Sequence, residues 1–118
     1  MNSNENMFSE RLLSFLGIAR KAGRLSLGFD SVCDSVRKGE SRMILTASDA
    51  SEGTLRRLRN RLPEDFAEVY QLPCDIDRVN AALGKGVRLI SVNDKGFANR
   101  IKEMLGQQDG IGSGQGEE

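Results

Sequence analysis

Helical patterns alternate with short apolar runs along most of this 118-residue chain. Apolar residues at helical spacing predict helices at about residues 9–22, 29–36, 55–62, 76–83 and 97–105. Short apolar runs between them predict strands at about residues 25–27, 43–47, 68–72 and 87–92. Helices that alternate with buried strands are typical of a sheet covered by helices. The sequence therefore predicts an α/β fold, a three-layer α/β/α sandwich around a small central mixed sheet of about four short strands.

Residues suited to helix capping stand at the predicted helix ends. A serine or aspartate within residues 48–51 can cap the third helix, Asp75 the fourth, and residues 93–94 the last. Gly23 can supply a left-handed cap at the end of the first helix, and Gly84 ends the fourth. These caps set the expected boundaries of the helices.

The chain length fits one domain, residues 1–105, followed by a tail. A chain of 118 residues can form one core but is too short for two. Residues 106–118 are mainly Gly, Gln, Ser and Glu, and Ile111 is their only apolar residue. Such a segment cannot bury enough surface to offset its conformational entropy. We therefore expect residues 106–118 to be a disordered tail.

The cysteines and the absence of targeting patterns predict a cytoplasmic protein. Cys33 and Cys74 lie far apart, and we expect both to be reduced, with Cys33 as a small core residue. No segment approaches the roughly 18 unbroken apolar residues of a membrane helix, so no membrane partner is expected. The N-terminus has no basic region followed by an apolar stretch, as a secretory signal would.

Catalysis is disfavoured by the residue types available. The chain has no histidine, the side chain that most often performs acid–base catalysis. Without histidine and without a C-x-x-C pair, the usual zinc sites are missing. The glycines around Lys85 match neither common nucleotide-binding motif. We therefore expect a protein that is not an enzyme and needs no cofactor or metal.

The charge distribution permits RNA binding without requiring it. The net charge is zero, and the calculated pI is about 6.3. Four of the 17 acidic residues lie in the two tails (Glu5, Asp109, Glu117 and Glu118). The 13 acidic residues that remain between residues 6 and 108 face all 17 basic ones, so this part carries about +4. A modestly basic domain is compatible with an anionic partner.

Residues 18–31 contain the strongest candidate for an anion-binding site. A predicted helix ends in three cations, Arg20, Lys21 and Arg24, and Gly28 opens the next helix. The start of a helix has unpaired backbone N–H groups and partial positive charge, which suit a phosphate. Cations beside it would strengthen such a site. Favourable capping of the first helix also explains Arg20 and Lys21 without any ligand.

Four arginines crowd the third predicted helix, at positions 56, 57, 59 and 61. A solvated face is the usual meaning of such a run, and we expect that reading here. Contact with phosphates remains the alternative. Most aromatic residues fall on predicted core positions, which leaves Phe29 and Tyr70 as candidates for stacking on a base. Recognition by loops, helix starts and arginines is therefore more compatible with this chain than an aromatic platform.

Three segments resemble the ribosomal protein L-seven-Ae family. They read L-L-S-F-L-G-I-A-R-K-A-G-R-L-S-L-G, R-M-I-L-T-A-S-D-A-S and V-N-D-K-G-F-A-N-R-I. The resemblance covers roughly residues 11–101, and it is closest to small bacterial members often encoded beside translation factors. It implies a three-layer α/β/α fold and binding to kink-turns, which are sharply bent RNA helices with sheared G·A pairs. It also implies structured RNA, ribosomal RNA above all, and ribosomal or translation-factor proteins as partners.

The resemblance also implies which residues face the RNA. The end of the first helix, the turn at Gly28 and two flanking loops, residues 47–51 and 72–74, would form the site. The residues implied are Arg20, Lys21, Arg24, Gly28, Phe29, Asp30, Ser31, Asp49, Leu72 and Pro73.

The chain departs from the family pattern after Gly28. RNA-binding members have an Asn-Glu pair shortly after this glycine and a lysine further along the helix. An ungapped alignment places Asp30 and Ser31 at the pair and Asp34 at the lysine. Asp30 can still accept hydrogen bonds from guanine edges, whereas Asp34 would repel a phosphate.

The sequence thus supports two functions of different classes. The first is a non-catalytic RNA-binding protein that recognises structured, kink-turn-like RNA in the ribosome or in translation. The alternative is a protein-interaction adaptor that kept the fold and lost RNA affinity. The cations at positions 20, 21 and 24 favour RNA, while Asp34 and the near-neutral charge favour the adaptor.

Overall fold

The structure of the protein is a computed structural model, which describes the backbone of residues 3–113 and the side-chain burial of residues 7–106. The elements in chain order are α1 (Ser3–Lys21), β1 (Leu25–Leu27), α2 (Phe29–Arg37), β2 (Met43–Thr46), α3 (Glu52–Asn60), β3 (Val69–Gln71), α4 (Ile76–Leu83), β4 (Leu89–Val92) and α5 (Lys95–Ser113). Helices and strands alternate throughout, as the sequence predicts. None of the described helices combines the length and the apolar character needed to cross a bilayer.

The four strands form one mixed sheet in the order β1-β4-β2-β3. β4 lies in the middle and runs antiparallel to both of its neighbours, β1 and β2. β3 joins the other side of β2 in parallel. The predicted small mixed sheet is therefore confirmed.

The side chains of β2 alternate between the two faces of the sheet, as the pleat of a strand requires. Met43 and Leu45 belong to the larger core cluster, which α1, α4 and α5 cover. Ile44 belongs to a second cluster, which α2 and α3 cover. Helices on both faces make three layers, so the predicted α/β/α sandwich is confirmed.

The predicted helix caps are present. Ser51 Oγ accepts a hydrogen bond from the Thr54 N–H at 3.1 Å, which caps α3. Asp75 Oδ1 accepts one from the Arg78 N–H at 3.0 Å and caps α4 in the same way. Gly84 ends α4 in the left-handed conformation, with φ at 76°. The sequence therefore predicts these ends well, because capping depends only on local chain geometry.

The two terminal helices are longer than the sequence predicts. α1 begins at Ser3 and α5 reaches Ser113, so the first eight residues of the expected disordered tail are helical. Once a helix has formed, each further residue adds one backbone hydrogen bond at little extra cost. The prediction for residues 106–118 considered only their composition, and it therefore did not include this cooperativity. Residues 114–118 of the expected tail lie outside the described residues.

Candidate nucleic-acid interface

Four connecting segments meet at one end of the sheet. Thr46, at the end of β2, pairs with Leu89 of β4 on one side and Gln71 of β3 on the other. The Gly28 N–H donates a hydrogen bond to the Leu89 carbonyl at 2.9 Å, so the start of α2 lies here as well. We call this region the loop end. Its residues are 28–31, 47–51, 72–75 and 84–88.

Gly28 gives α2 an uncapped start at the loop end. Its φ of 95° and ψ of 161° belong to a region that is essentially reserved for glycine. No side chain caps the helix, so the first backbone N–H groups of α2 lack a side-chain acceptor. Asp30 and Ser31, in this first turn, are exposed. The backbone geometry suits an anion, and the Asp30 carboxylate adds an acceptor beside it.

The two candidate stacking aromatics are engaged within the protein. The Phe29 ring packs against the second core cluster, and the Arg57 guanidinium lies over it, 4.3 Å from the ring centroid. Arg61 Cζ lies 5.7 Å from the same centroid. The Tyr70 hydroxyl donates a hydrogen bond to Glu68 Oε1 at 2.7 Å. The structure thus presents neither ring freely to a base. All four arginines are exposed, as a solvated face requires, and Arg57 and Arg61 also contact the Phe29 ring.

Asp49 connects two segments of the loop end. Its Oδ1 accepts a hydrogen bond from the Ile76 N–H at 3.2 Å, at the start of α4. The same oxygen lies 3.3 Å from Arg88 Nε, which precedes β4. The sequence predicts that Asp49 contacts a ligand. In the structure, its carboxylate instead holds the start of α4 and the residue before β4 together.

Leu72 and Pro73 differ in what they can offer to a ligand. Leu72 is 1% exposed, and its N–H donates to the Thr46 carbonyl at 2.7 Å. Pro73 is exposed. The Leu72 side chain is therefore a core residue, because the parallel pairing of β3 with β2 carries it inside, and only Pro73 is available at the surface.

Arg24 and the start of α2 lie at opposite ends of β1. The Arg24 carbonyl accepts a hydrogen bond from the Asn93 N–H at 2.8 Å, at the opposite end of β1 from Gly28. Four residues of extended chain separate the two positions by about 13 Å, at roughly 3.3 Å per residue. The expectation that the three cations at the end of α1 reinforce the helix start is corrected for Arg24. The strand between them is the physical reason.

Arg20 and Lys21 lie along the contact between α1 and α4. Arg20 Nη1 lies 3.5 Å from the position that a Cβ atom would take at Gly84, so its side chain reaches the outer turn of the loop end. Lys21 lines a surface groove with Arg78 and Ala82. Arg20 is therefore the cation of the three that the structure brings to the loop end.

Residues 84–88 are the part of the loop end that sequence reasoning missed. They carry the exposed cations Lys85 and Arg88. Val87 Cγ1 lies 3.8 Å from the position of a Cβ at Gly28, which places this segment against the start of α2. The glycines at 84 and 86 were a visible signal of a turn. The sequence could not predict that this turn lies beside Gly28, because its location depends on β4 lying between β1 and β2.

Asp34 is paired with its own helix neighbours. Its carboxylate forms ion pairs with Arg37 and with Lys38 Nζ, the latter at 3.1 Å. The hydrogen bond from Lys38 is the largest cause that lowers the pKa of Asp34 below its ordinary value. The carboxylate is thus ionised at neutral pH, and it pairs with two cations, Arg37 at the end of α2 and Lys38 after it.

The two cysteines are buried and unpaired. Burial raises the pKa of both the Cys33 and the Cys74 thiols, so both are protonated at neutral pH. A protonated, buried thiol is a poor nucleophile and a poor metal ligand. Among the described residues, no group of three or more metal-ligating side chains comes together.

A polar network fixes α2 on the sheet. Asn93 Nδ2 donates to Ser26 Oγ at 2.8 Å and reaches Ser35 Oγ of α2 at 3.4 Å. The Ser26 and Ser35 hydroxyls lie 2.6 Å apart. The Ser91 hydroxyl donates to Asn93 Oδ1 at 2.6 Å, and it lies 2.7 Å from the Ser41 hydroxyl. α2 is therefore held on the sheet at Ser35 by hydrogen bonds from Ser26 of β1 and from Asn93, which directly follows β4.

Sequence comparison finds relatives among known proteins. No protein-family profile matches the chain. The RNA-binding protein YlxQ of Enterococcus faecium is 25% identical over 100 residues, which cover 81% of this chain and 92% of that protein. The RNA-binding protein YlxQ of Bacillus subtilis (strain 168) is 27% identical over 95 residues, which cover 76% of this chain and 90% of that protein.

Two solved structures share the architecture. A Bacillus halodurans protein of unknown function matches with a TM-score of 0.66 and 27% identity, over 80% of this chain and 95% of its own. A 15.5 kDa RNA-binding protein of Giardia lamblia matches with a TM-score of 0.66 and 16% identity, over 94% of this chain and 92% of its own. At that identity the Giardia protein shows a shared fold alone. By sequence, the chain is similar to two proteins that are named RNA-binding protein YlxQ.

Proposed function

We propose that this protein is a non-catalytic RNA-binding protein that recognises kink-turn RNA with its loop end. The observation that carries the proposal is the uncapped start of α2 at Gly28, surrounded by three other connecting segments. The names of the two YlxQ relatives and the motifs of the L-seven-Ae family support it. The same proposal assigns the protein to the cytoplasm, with ribosomal RNA as its ligand and ribosomal or translation-factor proteins as neighbours.

Binding would work by positioning rather than by chemistry. The N–H groups at the start of α2 would bind a backbone phosphate, because they carry the positive end of the helix dipole. Lys85 and Arg88 would hold phosphates beside it. The acceptors of Asp30 and Ser31 would contact base edges, which a bent RNA helix exposes more than a regular A-form helix does.

The adaptor function is the second candidate, and the ion pairs of the surface favour it. Asp34 forms ion pairs with Arg37 and Lys38, and Asp49 forms one with Arg88, so several cations near the α2 face are already paired. A surface of balanced charge suits a protein partner better than a polyanion.

A binding titration separates the two functions. The protein is titrated into a kink-turn RNA and into a straight duplex of equal length, at low and at physiological salt. We expect tighter binding to the kink-turn at both salt concentrations, with a loss of affinity as salt rises. Equal affinity for the two RNAs, or binding to neither at low salt, would favour the adaptor.

A further inference from the structure

Two arginines, Arg57 within α3 and Arg61 directly after its last residue, are held against the first residue of α2. Arg57 and Arg61 are one helical turn apart, and their guanidinium groups lie 4.3 Å and 5.7 Å from the centroid of the Phe29 ring. A cation at this distance over an aromatic ring is attracted by the negative face of the ring. The ring therefore restricts two side chains that would otherwise sample many rotamers.

No carboxylate among the described residues pairs with these two guanidinium groups. Within the described residues, neither Arg57 nor Arg61 has a carboxylate oxygen within salt-bridge distance. The other cations near α2 differ, since Arg37 and Lys38 are paired with Asp34. The pair on Phe29 is thus a source of unneutralised positive charge next to α2.

The position of the pair is as informative as its charge. Phe29 directly follows Gly28, so the two cations flank the uncapped helix start on its α3 side. From there a polar groove of about 410 Å³ runs along α2, and Ser31 of α2 and Arg61 at the end of α3 line it. The groove is continuous in space with the helix start, because Asp30 and Ser31 belong to both.

The other two arginines of α3 do not share this arrangement. Arg59 lines a different groove, together with Leu62 and Phe66. Arg56 is exposed, and no cation–π contact with Phe29 is found for either one within the described residues. Arg57 and Arg61 are thus held beside α2, whereas Arg56 and Arg59 are not. The second pair can therefore serve as an internal control.

We propose that Arg57 and Arg61, held on the Phe29 ring, bind phosphates of the RNA that occupies the loop end. The inference rests on the proposed function and extends its footprint from the start of α2 across the groove to α3. Restricted guanidinium groups lose less conformational freedom on binding than free ones, and they bind phosphate oxygens in a bidentate manner. The chain thereby gains cations on the side of α2 where Asp30 and Asp34 are unfavourable for a phosphate.

The test compares two double variants with the same loss of charge. Arg57→Gln with Arg61→Gln removes the pair on Phe29, and Arg56→Gln with Arg59→Gln is the matched control on the same helix. Each variant and the wild type are titrated with kink-turn RNA at several salt concentrations, after circular dichroism has shown equal folding. We expect the first variant to lose about tenfold in affinity at low salt, and its salt slope to fall by about one to two units. The control should stay within about twofold of the wild type, in keeping with the weak, screened effect of exposed charges.

A third variant tests the role of the ring. Phe29→Leu keeps an apolar side chain in the second core cluster but removes the surface on which the arginines rest. We expect a loss of affinity smaller than that of the arginine pair, with an unchanged salt slope, because both cations remain.

The outcomes separate the two proposals. Wild-type protein that binds neither kink-turn nor duplex overturns the proposed function, and the inference with it. Tight wild-type binding with equal losses in both double variants, or with no loss in either, overturns the inference alone. Tight binding that only the Arg57 and Arg61 variant weakens supports both.

Discussion

Asp49 and Arg88 form an ion pair across the loop end, with 3.3 Å between Asp49 Oδ1 and Arg88 Nε. The same oxygen accepts a hydrogen bond from the Ile76 N–H at the start of α4. We therefore expect this carboxylate to have two effects of opposite sign on RNA binding. It orders the loops, and it neutralises a cation that would otherwise face a phosphate.

Replacing Asp49 separates these effects. Asp49→Asn keeps an oxygen acceptor for Ile76 and frees Arg88, so we expect similar stability and a several-fold gain in RNA affinity at low salt. Asp49→Ala also removes the acceptor at a helix start, and the free energy of unfolding should fall by about 1 kcal/mol. Urea denaturation and RNA titration measure the two quantities. Weaker RNA binding by the Asn variant would mean that the carboxylate itself contacts RNA.

Gly28→Ala tests the backbone geometry of the α2 start. A φ of 95° with a ψ of 161° is strained for any residue with a Cβ, at a cost of about 1–3 kcal/mol. The added Cβ would lie 3.8 Å from Val87 Cγ1, an ordinary contact, so backbone strain is the cause of this loss. We expect lower stability in denaturant and weaker RNA binding.

Gly53→Ala is the matched control for Gly28→Ala. Gly53 lies within α3, where alanine is a better helix former by about 1 kcal/mol, and its Cβ would have room. The control should be at least as stable as the wild type and should bind RNA equally well. Unchanged affinity in the Gly28 variant as well would remove the helix start from the binding site.

Asp34 gives the sharpest electrostatic prediction. Asp34→Asn frees Arg37 and Lys38, and Asp34→Lys adds a further cation to them. We expect kink-turn affinity to rise in the order wild type, Asn, Lys, with a gain that shrinks as salt screens the charges. Because the pKa of Asp34 is lowered, its negative charge is complete well below neutral pH, and the gain should not change between pH 6 and 8. Identical titrations for all three proteins would place this side of α2 outside the RNA footprint.

Asn93→Ala tests whether the polar network positions α2. The substitution leaves the hydroxyls of Ser26 and Ser91 without their amide partner. Both hydroxyls keep a serine partner, so the loss is that of the hydrogen bonds to Asn93, each worth about 0.5–1.5 kcal/mol. The free energy of unfolding should therefore fall by about 1–3 kcal/mol. RNA affinity should fall too, measured where the variant is still folded. Asn99→Ala, at an exposed position of α5, is the control and should change stability by less than about 0.5 kcal/mol.

The layers of the fold were predictable because they follow from local patterns. The stripe of Leu12, Leu16 and Ala19 along α1 fixes which side of that helix is buried, and all three are fully buried. The burial of β2 on both faces is equally visible in the sequence, since both neighbours of Ile44 are apolar, and all three residues are buried. Such patterns predict burial without information on which element packs against the buried side.

The candidate site was less predictable because it depends on strand order. Residues 20–28 are continuous in sequence, yet β1 places Arg24 and Gly28 at opposite ends of a strand. Residues 84–88 are far away in sequence, yet the central position of β4 carries Val87 to Gly28. Pairing between distant strands decides both facts, and no local periodicity encodes it.

The polar network was hidden for a related reason. Ser26 and Ser91 resemble ordinary polar residues of short strands. They become neighbours only because β1 and β4 pair in a register that sets Ser26 opposite Ser91. A one-residue shift of this register would separate them.

Mapping the backbone amides that respond to RNA tests the central claim most directly. Isotope-labelled protein is titrated with kink-turn RNA, and the change in each amide resonance is followed by NMR. The largest changes should fall on residues 28–31, 48–51, 74–76 and 85–88, which together form the surface of the loop end. Changes concentrated on α1, around the exposed side chains of Met7 and Ile18, would contradict the claim, because neither residue belongs to the loop end.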